Sequence, residues 1–64
     1  MIAIQHLAPG TQLRLRDGTT VEIVENPRDG VWLVARAIDA QGRAADDTQL
    51  VHADDVSEVA GSTS

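Results

Sequence analysis

Residues 11–25 read TQLRLRDGTTVEIVE, and the alternation inside this stretch decides the fold. In an extended chain Leu13 and Leu15 fall on one face, with Gln12, Arg14 and Arg16 on the other. Beyond Asp17-Gly18 the same rule puts Val21 and Ile23 on one face and Thr20, Glu22 and Val24 on the other. A period of two marks half-buried antiparallel strands, and the β-branched content favours them. Asp17-Gly18 between them is a hairpin signal, because both residue types tolerate a positive φ.

Working outward, Pro9-Gly10 marks a turn before the first of these strands, and Ile2-Ala3-Ile4 offers a further edge strand. On the other side, Asn26-Pro27-Arg28-Asp29-Gly30 is a turn: Pro27 presets φ at its start and Gly30 suits a left-handed closing position. Residues 31–38, VWLVARAI, are apolar on both faces, as in a strand covered on both sides. In a small barrel one side is the core, and the other needs a loop, a terminus or another chain. Residues 39–47 are polar around Gly42 and read as a flexible loop. Their alanines suggest a rival helix from Leu33 to Ala45, against which Gly42 and the β-branched start both count. Residues 48–52 read as a fourth strand. Residues 54–57 read as a helical turn capped by Asp54, and residues 56–59 as a short last strand. One domain over residues 1–60 and a polar tail over 61–64 account for the chain.

With 64 residues and no cysteine, the domain cannot rely on disulfides. His6 and His52 without thiolates do not make a zinc site, and no cofactor motif is present, so neither metal nor cofactor is expected. That leaves idealised packing or oligomerisation, and the 42% apolar content favours a homo-oligomer. Ten acidic residues against five basic ones, no lysine, and a net charge of -5 argue against nucleic acid and against anionic membranes as partners. No apolar run reaches the roughly 20 residues of a spanning helix, and residues 1–7 lack the basic start of a signal peptide. A cytoplasmic location is expected.

The order of these elements resembles the SH3-like barrel superfamily. A Pro-Gly lead-in precedes two strands joined at Asp-Gly; a two-faced central strand, a variable loop and a fourth strand follow, then one tight helical turn and a last strand. The resemblance spans residues 7–60 and implies an all-β barrel of about five antiparallel strands in a small bacterial-type protein. It implies no single function, because the superfamily hosts many. Trp32 is the only aromatic residue, so neither the aromatic bed of a polyproline-binding SH3 domain nor an aromatic cage for methylated amines can be built. Gln49-Leu50-Val51 is similar in position to the pore-lining Gln-Ile-Tyr segment of the plasmid- and cassette-borne dihydrofolate reductases. Val51 replaces the tyrosine, and the family's lysine has no counterpart.

Two groups of residues are candidates for a site. If Val31, Leu33 and Ala35 face the core, then Trp32, Val34, Arg36 and Ile38 form an apolar outer row that needs a partner; with the opposite parity Trp32 and Val34 fill the core. Gln49, His52, Asp54 and Asp55 form a possible polar cluster near the last turn, without a nucleophile to make it a catalytic dyad. Arg14 and Arg16 are expected to pair across strands with Glu22. The function expected from this pattern is a non-enzymatic interaction or assembly module, whose partner is a protein: another copy or a heterologous subunit. The alternative is a pore-type enzyme or small-molecule binder made on oligomerisation, with Gln49, His52 and Trp32 lining a shared pore. A nucleic-acid-associated barrel is a third class, opposed by the acidic charge.

Overall fold

In the computed structural model, which describes residues 4–61, the alternating segments become strands of one antiparallel sheet. They are β1 (Gln12–Leu15), β2 (Thr20–Glu25), β3 (Trp32–Ile38), β4 (Gln49–His52) and β5 (Val56–Gly61). Their order across the sheet is β4-β3-β2-β1-β5, compatible with an SH3-like fold. The strands at the two edges, β4 and β5, are joined by only a 3-10 turn over Ala53–Asp55. A flat sheet of five strands would hold its edges about 19 Å apart. A three-residue 3-10 segment advances only about 6 Å. The sheet therefore curls until its edges approach each other, and the concave side becomes the core.

The β1–β2 connection is a hairpin of three residues rather than two. Leu15 and Thr19 close it (Leu15 N–H to Thr19 O, 2.8 Å), and the Gly18 N–H donates to Leu15 O at 3.0 Å. Only Gly18 takes the left-handed conformation (φ 92°). Asp17 acts through its side chain, whose Oδ1 accepts the Thr19 N–H at 2.8 Å. Across β2 and β3, Ile23 stands opposite Ala35 and Glu25 opposite Val34, which makes Val24 the extra residue of a bulge.

Leu13, Val21, Ile23, Leu33, Ala35, Val51 and Val56 fill the concave side, joined by Ile4. Ile4 corrects the edge-strand expectation: Ile4–His6 is a 3-10 turn, and its first side chain is buried in the core. Ile2 and Ala3 lie outside the described residues. Asn26 locks this turn in place, its Nδ2 donating to the carbonyls of Ile4 (2.9 Å) and Leu7 (2.8 Å) while its Oδ1 accepts from the Arg28 N–H (2.8 Å).

Other expectations are adjusted as well. The 39–47 segment is organised around Asp39, whose Oδ1 accepts from the Gln41 and Arg43 N–H groups at 2.9 Å each, and a bridge between Ile38 and Ala44 prolongs the β3 hairpin. The rival helix is absent, since its first half is β3. The helical turn is Ala53–Asp55, and the cap is His52 rather than Asp54, because the imidazole Nδ1 accepts the Asp54 N–H at 3.0 Å. β5 runs on to Gly61, into the segment read as a tail, and Ser62 to Ser64 lie outside the described residues. Finally, Arg14 pairs with Glu58 of β5 at 3.1 Å, not with Glu22. The register places Glu22 opposite Gln12 and Arg14 opposite Thr20 on β2, and Arg16 falls in the turn beyond β1.

Candidate functional site: the convex face of β3 and β4

Leu33 and Ala35 are fully buried, which fixes the parity of β3 and leaves Trp32, Val34, Arg36 and Ile38 on the convex side. Val31 departs from the alternation, because it precedes the strand and is 41% exposed. The start of β3 is pinned by Asp29. Its Oδ1 accepts the Val31 N–H at 2.8 Å and the Trp32 N–H at 3.0 Å. These bonds, that to Trp32 first, hold the Asp29 carboxyl below its ordinary pKa.

β4 extends this face. Trp32 stands opposite His52 and Val34 opposite Leu50. The Ala53 N–H donates to Val31 O at 2.8 Å, so the 31/53 pair is a hydrogen-bonded one. In an antiparallel ladder such pairs alternate with close, non-hydrogen-bonded ones. Trp32/His52 and Val34/Leu50 are then of the close kind, with side chains in contact range. The rings of Trp32 and His52 meet edge to face, with centroids 4.7 Å apart. Leu50, beside them, is 67% exposed and Trp32 42% exposed. The result is a compact convex patch of one indole, two aliphatic side chains and an imidazole.

Arg36 continues the row with a different character. It stands opposite Glu22 of β2, and its Nε is buried without a hydrogen-bond partner among the described residues. A buried donor left unpaired costs about 1–3 kcal/mol. The patch is therefore apolar at Trp32 and Leu50, while the Arg36 Nε beside it is closed off from the surface.

The polar residues expected to cluster separate into three places. His52 and Asp54 are brought together, with His52 Nδ1 3.8 Å from Asp54 Oδ2. Because Nδ1 accepts the Asp54 N–H at 3.0 Å, the imidazole proton of this arrangement sits on Nε2. Gln49 stands at the other end of β4 opposite Ala35, and three positions along a strand put it on the other face from His52. Asp55 lines a shallow cleft of about 230 Å³ with Leu15, Arg16 and Asp17, and its carbonyl accepts the Arg16 N–H at 2.9 Å. A second cleft of about 180 Å³ is lined by Ala37, Ile38, Asp39, Arg43, Ala44 and Ala45. Both fall short of the roughly 300 Å³ at which pockets for drug-sized ligands begin. Val51, at the position of the reductases' tyrosine, is a core residue with 2% exposure. Among the described residues no three His, Asp or Glu side chains gather to hold a metal ion, and no helix is long and apolar enough to cross a membrane.

Leu50 was missed by the outward-row reading. Its signal was present in the sequence, but it needed the β3–β4 register to show that Leu50 shares a face with Trp32 and Val34. Compared with protein-family models, with curated proteins and with solved structures, the chain matches none.

Proposed function

We propose that this domain is a non-enzymatic protein-interaction or assembly module on an SH3-like barrel, working through the convex face of β3 and β4. The observation that supports this reading is the patch of Trp32, Val34 and Leu50. It is carried on rigid strands, and its two largest side chains are left substantially exposed. Tryptophan is among the residues enriched at interface centres, and the aliphatic side chains beside it extend the apolar area that a partner would cover.

The test is a photo-crosslinking amino acid at position 32 in the chain's own cells, with light scattering on the purified protein. The expected result is one defined adduct, either a homo-oligomer or a distinct subunit, that disappears when Leu50→Asp is added. A protein that stays monomeric at millimolar concentration and forms no defined adduct from position 32 would overturn the reading.

A further inference from the structure

The same hydrogen-bond alternation that places the patch also describes the sheet edge beside it. With 31/53 a hydrogen-bonded pair, Val51 and Gln49 direct their peptide groups to β3. The N–H and C=O of Leu50 and the N–H of His52 then point the other way. No strand among the described residues pairs with β4 on that side. Natural edges are blunted by lysine, proline, inward charges or bulges. β5, the other edge, has two register shifts and carries Glu58. β4 reads QLVH and runs in unbroken register with β3; apart from its shortness, at four residues, it has no lysine, proline, charge or bulge to blunt it. Its protection lies at its ends instead, where Asp46 and Asp47 precede it and Asp54 and Asp55 follow it, all four exposed.

That charge pattern selects the occupant. Two copies joined β4 to β4 about a two-fold axis would bring Asp46 and Asp47 of each towards Asp54 and Asp55 of the other, and like charges set opposite one another destabilise a ladder. We propose that the β4 edge takes an extended segment of a different protein as a sixth strand. That segment is apolar at alternate positions, so that it covers Leu50, and has lysine or arginine on both flanks to meet the paired aspartates. This is strand addition with electrostatic selection. It rests on the interaction-module reading and names the partner of that site.

The probe is a synthetic peptide, KKVTVTVKK, and its charge-reversed counterpart EEVTVTVEE, added to the whole chain. Amide hydrogen exchange reads the edge and tryptophan fluorescence reads the patch. The expected result is slowed exchange at the Leu50 and His52 amides with the lysine peptide, and affinity that falls as salt rises. The glutamate peptide should bind on the order of tenfold more weakly. Reversing the flanks with D46K, D47K and D54K, all exposed positions, should exchange the two peptides' ranks. Leu50→Pro removes one outward N–H without touching the β3 ladder, and should abolish the protection while circular dichroism shows the fold intact.

Equal binding of the two peptides, binding without protection of Leu50 and His52, or no binding of either at millimolar concentration would each overturn the inference. So would self-association that Leu50→Pro abolishes, which would make a second copy the occupant. A defined crosslink from position 32 together with any of these outcomes leaves the interaction module standing and removes only the edge. Failure of the crosslink removes both.

Discussion

Asn26 shows how much one side chain can hold. Its amide spends both donors on the carbonyls of Ile4 and Leu7 and its oxygen on the Arg28 N–H. It thereby joins the first 3-10 turn to the β2–β3 loop and steadies Arg28, the one non-glycine residue with positive φ (65°) among those described. Asn26→Ala should cost roughly 2–3 kcal/mol, from three bonds of about 1 kcal/mol each. A urea titration would check this, and a loss within 0.5 kcal/mol would show that water replaces the amide. In the sequence Asn26 was legible only as a turn residue, because its partners are backbone carbonyls some 20 positions upstream. Arg28 carried no sign of its conformation, since glycine rather than arginine is the residue that announces a left-handed position.

At the scale of the element, β1, β2 and β3 were legible because alternation and turn chemistry agree there. β3 shows both faces at work. Leu33→Ala should cost about 3–5 kcal/mol, because Leu33 is fully buried. Trp32→Ala, one residue away, should cost less, about 1 kcal/mol, because Trp32 is 42% exposed and lies outside the core. Comparable losses in chemical denaturation would put Trp32 in the core and undo the assignment of the outer face. The start of β3 has its own dependence on pH. Asp29, like Asp17, has a carboxyl pKa lowered by the backbone N–H groups it accepts. Groups lowered in the folded state contribute fully above the ordinary aspartate pKa of about 4, and lose that contribution as pH falls through the folded value. The part of the stability that these two carboxylates supply should therefore be lost below about pH 4. Asn at position 29 keeps the acceptor oxygen without the titration, so Asp29→Asn should flatten part of that decline in acid melts. An unchanged acid limb would assign the sensitivity elsewhere. The ends of elements were less legible: the last turn shifted because His52 takes the cap expected of Asp54, and a histidine cap has no strong sequence signal.

For the whole molecule, the barrel order was legible from the succession of turns, whereas the plug was not. Residues 2–4 look like an edge strand by composition, but an open-ended curled sheet has more need of an apolar stopper, and Ile4 is 1% exposed. A domain of 64 residues has roughly 3–10 kcal/mol of stability in all. Ile4→Ala, at about 2–4 kcal/mol, should therefore bring the melting point down by roughly 10–20 °C. A shift under about 3 °C in calorimetry would mean that the turn merely rests on the sheet. The candidate patch was half legible: the sequence offered the row on β3 with its parity open, and only the register with β4 brought Leu50 and His52 alongside.

The pairing of β1 with β5 has a consequence for how the chain comes to be folded. Arg14 and its partner Glu58 lie 44 positions apart. During synthesis the first hairpin can form early, yet one flank of β1 stays uncovered until the last strand has left the ribosome. A nascent chain stalled before that point would present one edge of β1 unpaired and Leu13 uncovered, and contacts of such long range close slowly. The interval before closure, more than the finished barrel, is then the period in which this protein is most exposed to aggregation and to chaperone capture.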